Sequence, residues 1–341
     1  MTHCCAITEQ QVEEKQPRSP FQTALETGDL DAIRRIPKSD LHNHFFLGGN
    51  RALVSEWAGK DIAPLDHKLG CMAEMHEWVQ AHFGTLFAGP QGRLKAFEAT
   101  LVQAKLDGVT RLETGETPWA ITLHNGSATA LTDAWKGVHA RVAPNIEWIP
   151  QLDLAREVPV DVHARRLAPF LELGFWRTLD MSGDELAQPT AVFKPLYRMA
   201  KSAGLRLKAH VGEWGDADSV QRAVDELELD EVQHGIAAAQ STSVMKFLAD
   251  NRIRLNVCPT SNVQLGRVES LADHPIRKLY DAGVKVTVNT DDVLVFGQSV
   301  SDEFLNLYRV GLFDAAELDE LRQNGLTDEP APNRPILGDH S

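Results

Sequence analysis

Eight short runs of strand-forming residues alternate with stretches of helical periodicity, and this rhythm constrains the chain more than any other feature. The runs are SDLHNHF near residue 39, GVTRLETGE near 108, IEWIPQLDL near 146, FWRTLDMSG near 175, LRLKAHVGE near 205, DEVQHGI near 230, RIRLNVCPTSN near 252 and VKVTVNTDD near 284. Between them lie helical candidates such as AVFKPLYRMAKSAG, DSVQRAVDELEL, STSVMKFLADN and HPIRKLYDAG, the last ending in a glycine of the kind that closes a helix. Eight strand–helix units predict an α/β fold of the closed (β/α)8 or TIM-barrel type. An open doubly wound sheet is disfavoured, because no G-x-G-x-x-G turn follows an early strand. The connection from the first strand to the second is too long for a simple crossover. It carries helix-like pieces around MAEMHEWVQAHFG and RLKAFEATLVQAKLDG, so a helical insertion over about residues 48–107 is expected, of the kind that builds a lid. The expected organisation is a polar tail over 1–20, the barrel over 21–328 and a second tail over 329–341.

Active sites of such barrels are assembled from the C-terminal ends of several strands. Here those ends carry His42 and His44, Gly183, His210 and Glu213, His234, and Asp291 with Asp292. Residues at i and i+2 of a strand share a face, so His42 and His44 could close on one metal ion. Alone the pair is weak, because 13 histidines in 341 residues give roughly one half of an H-x-H by chance. His210 also has a bland reading as a core histidine, His234 as a turn residue, and the aspartates as a helix cap. Their convergence at one end of one fold is the stronger signal.

A formal charge of −14 and the lack of a Lys/Arg cluster argue against nucleic acid or an anionic membrane surface as partner. The N-terminal residues lack a signal-peptide pattern and no apolar run approaches a membrane span. Cys4, Cys5, Cys71 and Cys258 fit neither a zinc ribbon nor a disulfide framework, so a reducing cytoplasm is the expected setting.

In order along the chain, DLHNH, MSGDE, HVGEWG, VQHGI, CPTSN and VNTDD resemble the motifs of the adenosine deaminase family of zinc aminohydrolases, from residue 40 to 292. The resemblance implies one zinc ion held by His42, His44, His210 and Asp291, with a position left for water. It implies Glu213 as proton donor to a ring nitrogen and His234 as the residue that orients the activated water. It further implies that Asp292 contacts the imidazole side of a purine, that the Gly183 backbone N–H meets another ring nitrogen, and that the partner is a small aminopurine or related heterocycle. Without the resemblance, the residues read only as a metal hydrolase with an adjacent carboxylic acid.

Two other readings stay open at this point. A dinuclear amidohydrolase would often carry a carboxylated lysine at the end of the fourth strand, which FWRTLDMSG lacks, although Lys208 lies two residues before His210. A binding protein with a vestigial site predicts damaged ligands, and none is damaged. The zinc deaminases with H-x-E and P-C-x-x-C are excluded by the missing motif. Glu113 could face the pocket or pack, and His67, His76, His82, His124, His139, His163 and His274 are expected on helices or loops. The chain departs from the family where FFLGGN replaces a turn bearing an acidic sugar contact, putting Phe46 in its place, and where Val293 follows the paired aspartates in place of proline. Adenosine, adenine and 5′-modified adenosines are all candidate substrates.

Overall fold

A computed structural model describes residues 17–327, so most of both expected tails lies outside the described residues. The Ser19 hydroxyl accepts from the Gln22 N–H to cap α1 (Pro20–Thr27), and α2 (Leu30–Arg34) leads into β1 (Lys38–Asp40). The stretch expected as an insertion carries α3 (Arg51–Ala58), α4 (Met72–Phe83) and α5 (Gly89–Leu106). The order then runs β2 (Val109–Glu116), α6 (Ala128–Val142), β3 (Glu147–Ala155), α7 (Val160–Leu171), β4 (Thr178–Ser182) and α8 (Lys194–Ser202). It continues with β5 (Arg206–Leu207), β6 (His210–Val211), α9 (Ala217–Leu227), β7 (Glu231–His234), α10 (Thr242–Asp250) and β8 (Arg254–Val257). Last come α11 (Pro259–Gln264), α12 (Ile276–Asp281), β9 (Val286–Val288), α13 (Val293–Phe296), α14 (Val300–Arg309) and α15 (Ala315–Asn324).

Every strand pair is parallel, in the orders β1-β2-β3-β4-β5 and β6-β7-β8-β9. The fifth expected strand is thus broken into β5 and β6, but only Lys208 and Ala209 separate them. Lys208 N–H donates to Leu179 of β4, and Ala209 C=O accepts from Gln233 of β7, so the chain carries the wall across the gap. The other seam closes between the chain's first and last strand regions. Asn43 and Asp291 form a parallel bridge, with Asp291 N–H donating to the His42 carbonyl at 2.9 Å and His44 N–H to the Asp291 carbonyl at 3.3 Å. The (β/α)8 barrel is closed by the same residues that form the candidate metal site.

Charged residues fill one level of the barrel interior. Lys208 Nζ donates to the Leu41 carbonyl at 3.0 Å and lies 2.6 Å from Glu113 and 3.4 Å from Glu231, while Arg206 and Arg254 reach Glu231 at 2.6 and 2.7 Å. Buried charge persists only when paired in this way. Glu113 is therefore packed against Lys208 rather than held free for a substrate.

The helices cover the outside through ordinary amphipathic spacing. In α9 the Asp216 carboxylate accepts from the Ser219 N–H, a cap worth about 1 kcal/mol, and Val220, Ala223, Val224 and Leu227 form the buried stripe. Among the described residues, no helix is long and apolar enough to cross a membrane.

Candidate active site

The first two histidines lie just beyond β1, on the extended segment that pairs with residue 291. His42 is fully covered, whereas the His44 side chain is 25% exposed, so the site opens on the His44 side. His210 starts β6. His42 Nε2 lies 3.0 Å from His210 Nε2, His210 Nε2 lies 3.2 Å from His44 Nε2, and Asp291 Oδ1 lies 3.1 Å from His44 Nε2 and 3.6 Å from His42 Nε2. Two donors that share one zinc at 2.0–2.1 Å can stand no more than about 4.2 Å apart, and these separations fall inside that limit.

The hydrogen bond behind one ring leaves its facing nitrogen bare. His42 Nδ1 lies 3.0 Å from the Asn256 carbonyl and carries the proton, so its Nε2 keeps a lone pair. His210 Nδ1 faces Asp180 Oδ1 at 3.4 Å; burial opposes charge on this ring, yet Asp180 carries it above the usual imidazole range. The donor set fits a divalent ion with nitrogen and oxygen ligands.

Electrostatics inside the cluster follow from burial and neighbouring charge. Burial and then His234 hold His42 well below the usual imidazole range. Burial opposes charge on His44, yet Asp292 and Asp291 carry it well above that range. Burial likewise opposes ionisation of Asp291, but the His44 hydrogen bond and the nearby imidazoles hold it well below the ordinary carboxylate value. Ser261 Oγ donates to its second oxygen at 2.7 Å. Asp292 is pushed up to about 7 by burial and by Asp291. It occupies the cap position of α13 without a capping hydrogen bond, and its buried Oδ1 has no partner among the described residues.

Glu213 and His234 stand beside the candidate ligands. His234 Nε2 lies 3.5 Å from Glu213 Oε1 and 3.9 Å from Asp291 Oδ2. Burial and the Asp291 charge push the Glu213 carboxyl up to about 8, while burial lowers His234 to about 3. His234 (φ 61°) and Asp291 (φ 62°) both adopt the left-handed region without being glycine, which costs on the order of 1–3 kcal/mol each. Gly183, which follows β4 at φ 91°, could carry no Cβ without meeting the Glu157 carboxylate.

The Glu213 loop has its own support. The Glu185 carboxylate accepts from four consecutive backbone N–H groups, those of Gly212, Glu213, Trp214 and Gly215, at 2.7, 3.1, 2.7 and 3.2 Å. Replacing Glu185 by alanine strips all four of their acceptor, and a buried unsatisfied donor costs about 1–3 kcal/mol. We expect Glu185→Ala to lower the Tm by several degrees and to reduce turnover, measured by thermal denaturation and rate assay. An unchanged Tm would show that the loop holds its shape without Glu185.

Over residues 157–334 the chain matches the model of the family described as adenosine deaminase. It is 33% identical over 283 residues, 83% of this chain and 95% of the relative, to a Treponema pallidum (strain Nichols) protein assigned as an adenosine/adenine deaminase. The chain belongs to the adenosine deaminase family. It is accordingly a hydrolase that acts on the C–N bond of a cyclic amidine. It is also 29% identical over 316 residues to the aminodeoxyfutalosine deaminase of Streptomyces avermitilis, spanning 86% of each chain. The crystal structure of an adenine deaminase from Arthrobacter aurescens superposes with a TM-score of 0.73 at 27% identity, covering 85% of this chain and 92% of that one.

The dinuclear reading loses its lysine, because the Lys208 ammonium is committed to Glu113, Glu231 and the Leu41 carbonyl. Phe45 is buried against Trp135, whereas Phe46 is half-buried, packed edge-on against Phe87 at the head of α5 with the Arg93 guanidinium 5.5 Å from its ring centre. Sequence reasoning missed Asp153, Asp180, Glu185, Ser261, Asn262 and His274. Asp153 and Asp180 face each other in register on β3 and β4, and burial together with Asp180 pushes Asp153 up to about 6. The two aspartates in register were visible as LDL and LDM, a charged residue repeated within two apolar strands.

Proposed function

We propose that this enzyme is a mononuclear zinc-dependent aminohydrolase that converts a 6-aminopurine to the 6-oxopurine with release of ammonia. The observation that carries the reading is the convergence of three imidazole Nε2 atoms and the Asp291 carboxylate within 3.0–3.6 Å of their neighbours, beside Glu213 and His234. His42, His44, His210 and Asp291 would hold a divalent ion, which would lower the pKa of a bound water towards about 7. Glu213 delivers a proton to the ring nitrogen next to the amino-bearing carbon, which relieves the negative charge that builds up as oxygen adds. His234 orients the attacking oxygen. Asp292 receives the imidazole edge of the purine, and the Gly183 N–H meets a second ring nitrogen. The proton released as the water becomes hydroxide restores Glu213, and on collapse of the adduct the remaining hydroxyl proton passes to the amino group, which leaves as ammonia.

Phe46 sets the preference at the far end of the substrate. Its ring accepts no hydrogen bond from a ribose hydroxyl, and a hydroxyl left unpaired there costs about 1–3 kcal/mol. The nearby Glu116 is buried and clamped by Arg93, whose Nε donates to it at 2.6 Å. The preferred substrate is accordingly an adenine base, or an adenosine whose 5′ group is absent or apolar, with adenosine itself weaker. Ammonia release from adenine, adenosine, 5′-methylthioadenosine and aminodeoxyfutalosine, before and after Phe46→Asp, tests both parts. No release from any aminopurine by zinc-loaded protein overturns the activity. A preference for adenosine of roughly tenfold or more that survives the substitution removes Phe46 from the pocket.

A further inference from the structure

Imidazole and carboxamide groups can exchange donor and acceptor roles, so a network built only from them leaves its protons undetermined. A backbone N–H cannot, because it only donates. The Ile276 N–H at the head of α12 lies 3.1 Å from Nδ1 of His274. That nitrogen must accept, so His274 is neutral and carries its proton on Nε2. His274 Nε2 lies 3.3 Å from Asn262 Oδ1, which turns the other end of the Asn262 amide towards His234 Nδ1 at 3.1 Å. The same Nδ2 stands 3.4 Å from Glu213 Oε1, a carboxyl oxygen that can accept from it, consistent with that orientation. Asn262 donates, His234 Nδ1 accepts, and the His234 proton is left on Nε2. His274, Asn262 and His234 are all buried, so water does not compete for these bonds.

We infer that His274 and Asn262 are positioning residues that lock His234 in its Nε2–H form, so that it donates to the attacking oxygen and cannot remove a proton through Nε2. The inference rests on the reading of His234 given above. It links the metal centre to α12, through a histidine 40 residues from His234 in sequence. A hydrogen bond behind an active-site imidazole sets which nitrogen faces the chemistry, and losing such a partner commonly costs 10- to 100-fold.

The test is the protonation pattern of the imidazole nitrogens, read by NMR on protein labelled with 15N-histidine, metal-free and zinc-loaded, with the His234 signals identified by their loss in His234→Gln. Wild-type protein should show His234 protonated on Nε2 and His274 on Nε2. Asn262→Asp presents a carboxylate to both rings, so the His234 proton should move to Nδ1, and kcat should fall roughly tenfold or more with KM little changed and zinc content intact. His274→Leu should loosen the His234 pattern and lower kcat, whereas His274→Gln, whose amide can accept from Ile276 and donate to Asn262, should restore both. Wild-type His234 protonated on Nδ1, or an unchanged pattern in Asn262→Asp, overturns the inference. If Asn262→Asp fails to fold, the wild-type pattern and the His274 pair still decide. Protein that deaminates no purine would remove the proposed function, while the nitrogen pattern would continue to judge the relay.

Discussion

Glu213→Gln should retain its fold and its metal and lose about 10²- to 10⁴-fold in kcat, the range of a general acid–base group. The amide keeps the shape of the carboxyl, so Asn262 and Trp214 keep their neighbour, the latter donating its indole N–H across 3.0 Å in the wild-type protein. What it loses is the ability to give up a proton. Burial and the Asp291 charge push the carboxyl up to about 8, so the proton is present at neutral pH and leaves as pH rises through that value. A cation on Asp291 reduces the second contribution and leaves the first, moving the alkaline limb of the rate profile downwards without abolishing it. Steady-state rates and metal content measured on the same preparation check this, and a loss smaller than roughly tenfold on the true substrate would return Glu213 to a structural role.

His42→Ala and Asp291→Ala should each abolish turnover together with tight metal binding, since three donors remain where four are needed to hold the ion firmly. Wild-type protein should contain one equivalent of zinc by elemental analysis, lose activity on chelation and recover it when zinc is restored. Chelation should also lower the Tm, because a ligand that binds only the folded state stabilises it. Two equivalents per chain, or full turnover by metal-depleted protein, would contradict the proposed chemistry.

The candidate site was legible because its residues sit at strand ends, where short-range sequence pattern and fold geometry coincide. His42, His44, His210, Glu213, His234, Asp291 and Asp292 could all be placed from eight strand runs and the rule that such runs deliver their last residues to one rim. The residues behind them were not legible for the converse reason. Glu185 meets its four N–H partners across 27–30 residues, and Asn262 meets His234 across 28, distances at which nothing in a sequence window announces a contact. His274 looked like one more loop histidine until its contacts to Ile276 and Asn262 led on, through Asn262, to His234. The broken fifth strand was hidden too, because LRLKAHV reads as continuous. Its centre instead sends Lys208 inward to an ion cluster whose partners come from β2 and β7. Phe45 and Phe46 look equivalent in sequence, yet the chain turns after His44 and sends one ring into the core against Trp135 and the other under the insertion against Phe87.

The seam at Asn43 and Asp291 has a consequence for how the protein is made. The two histidines of the candidate metal site leave the ribosome early, and the residue that closes the barrel beside them follows about 250 residues later, which at roughly 5–20 residues per second is a wait of about 12–50 s. Until then Asn43 has no Asp291 to bridge. A translation product interrupted before residue 291 therefore lacks both the closing residue of the barrel and one of the four candidate ligands.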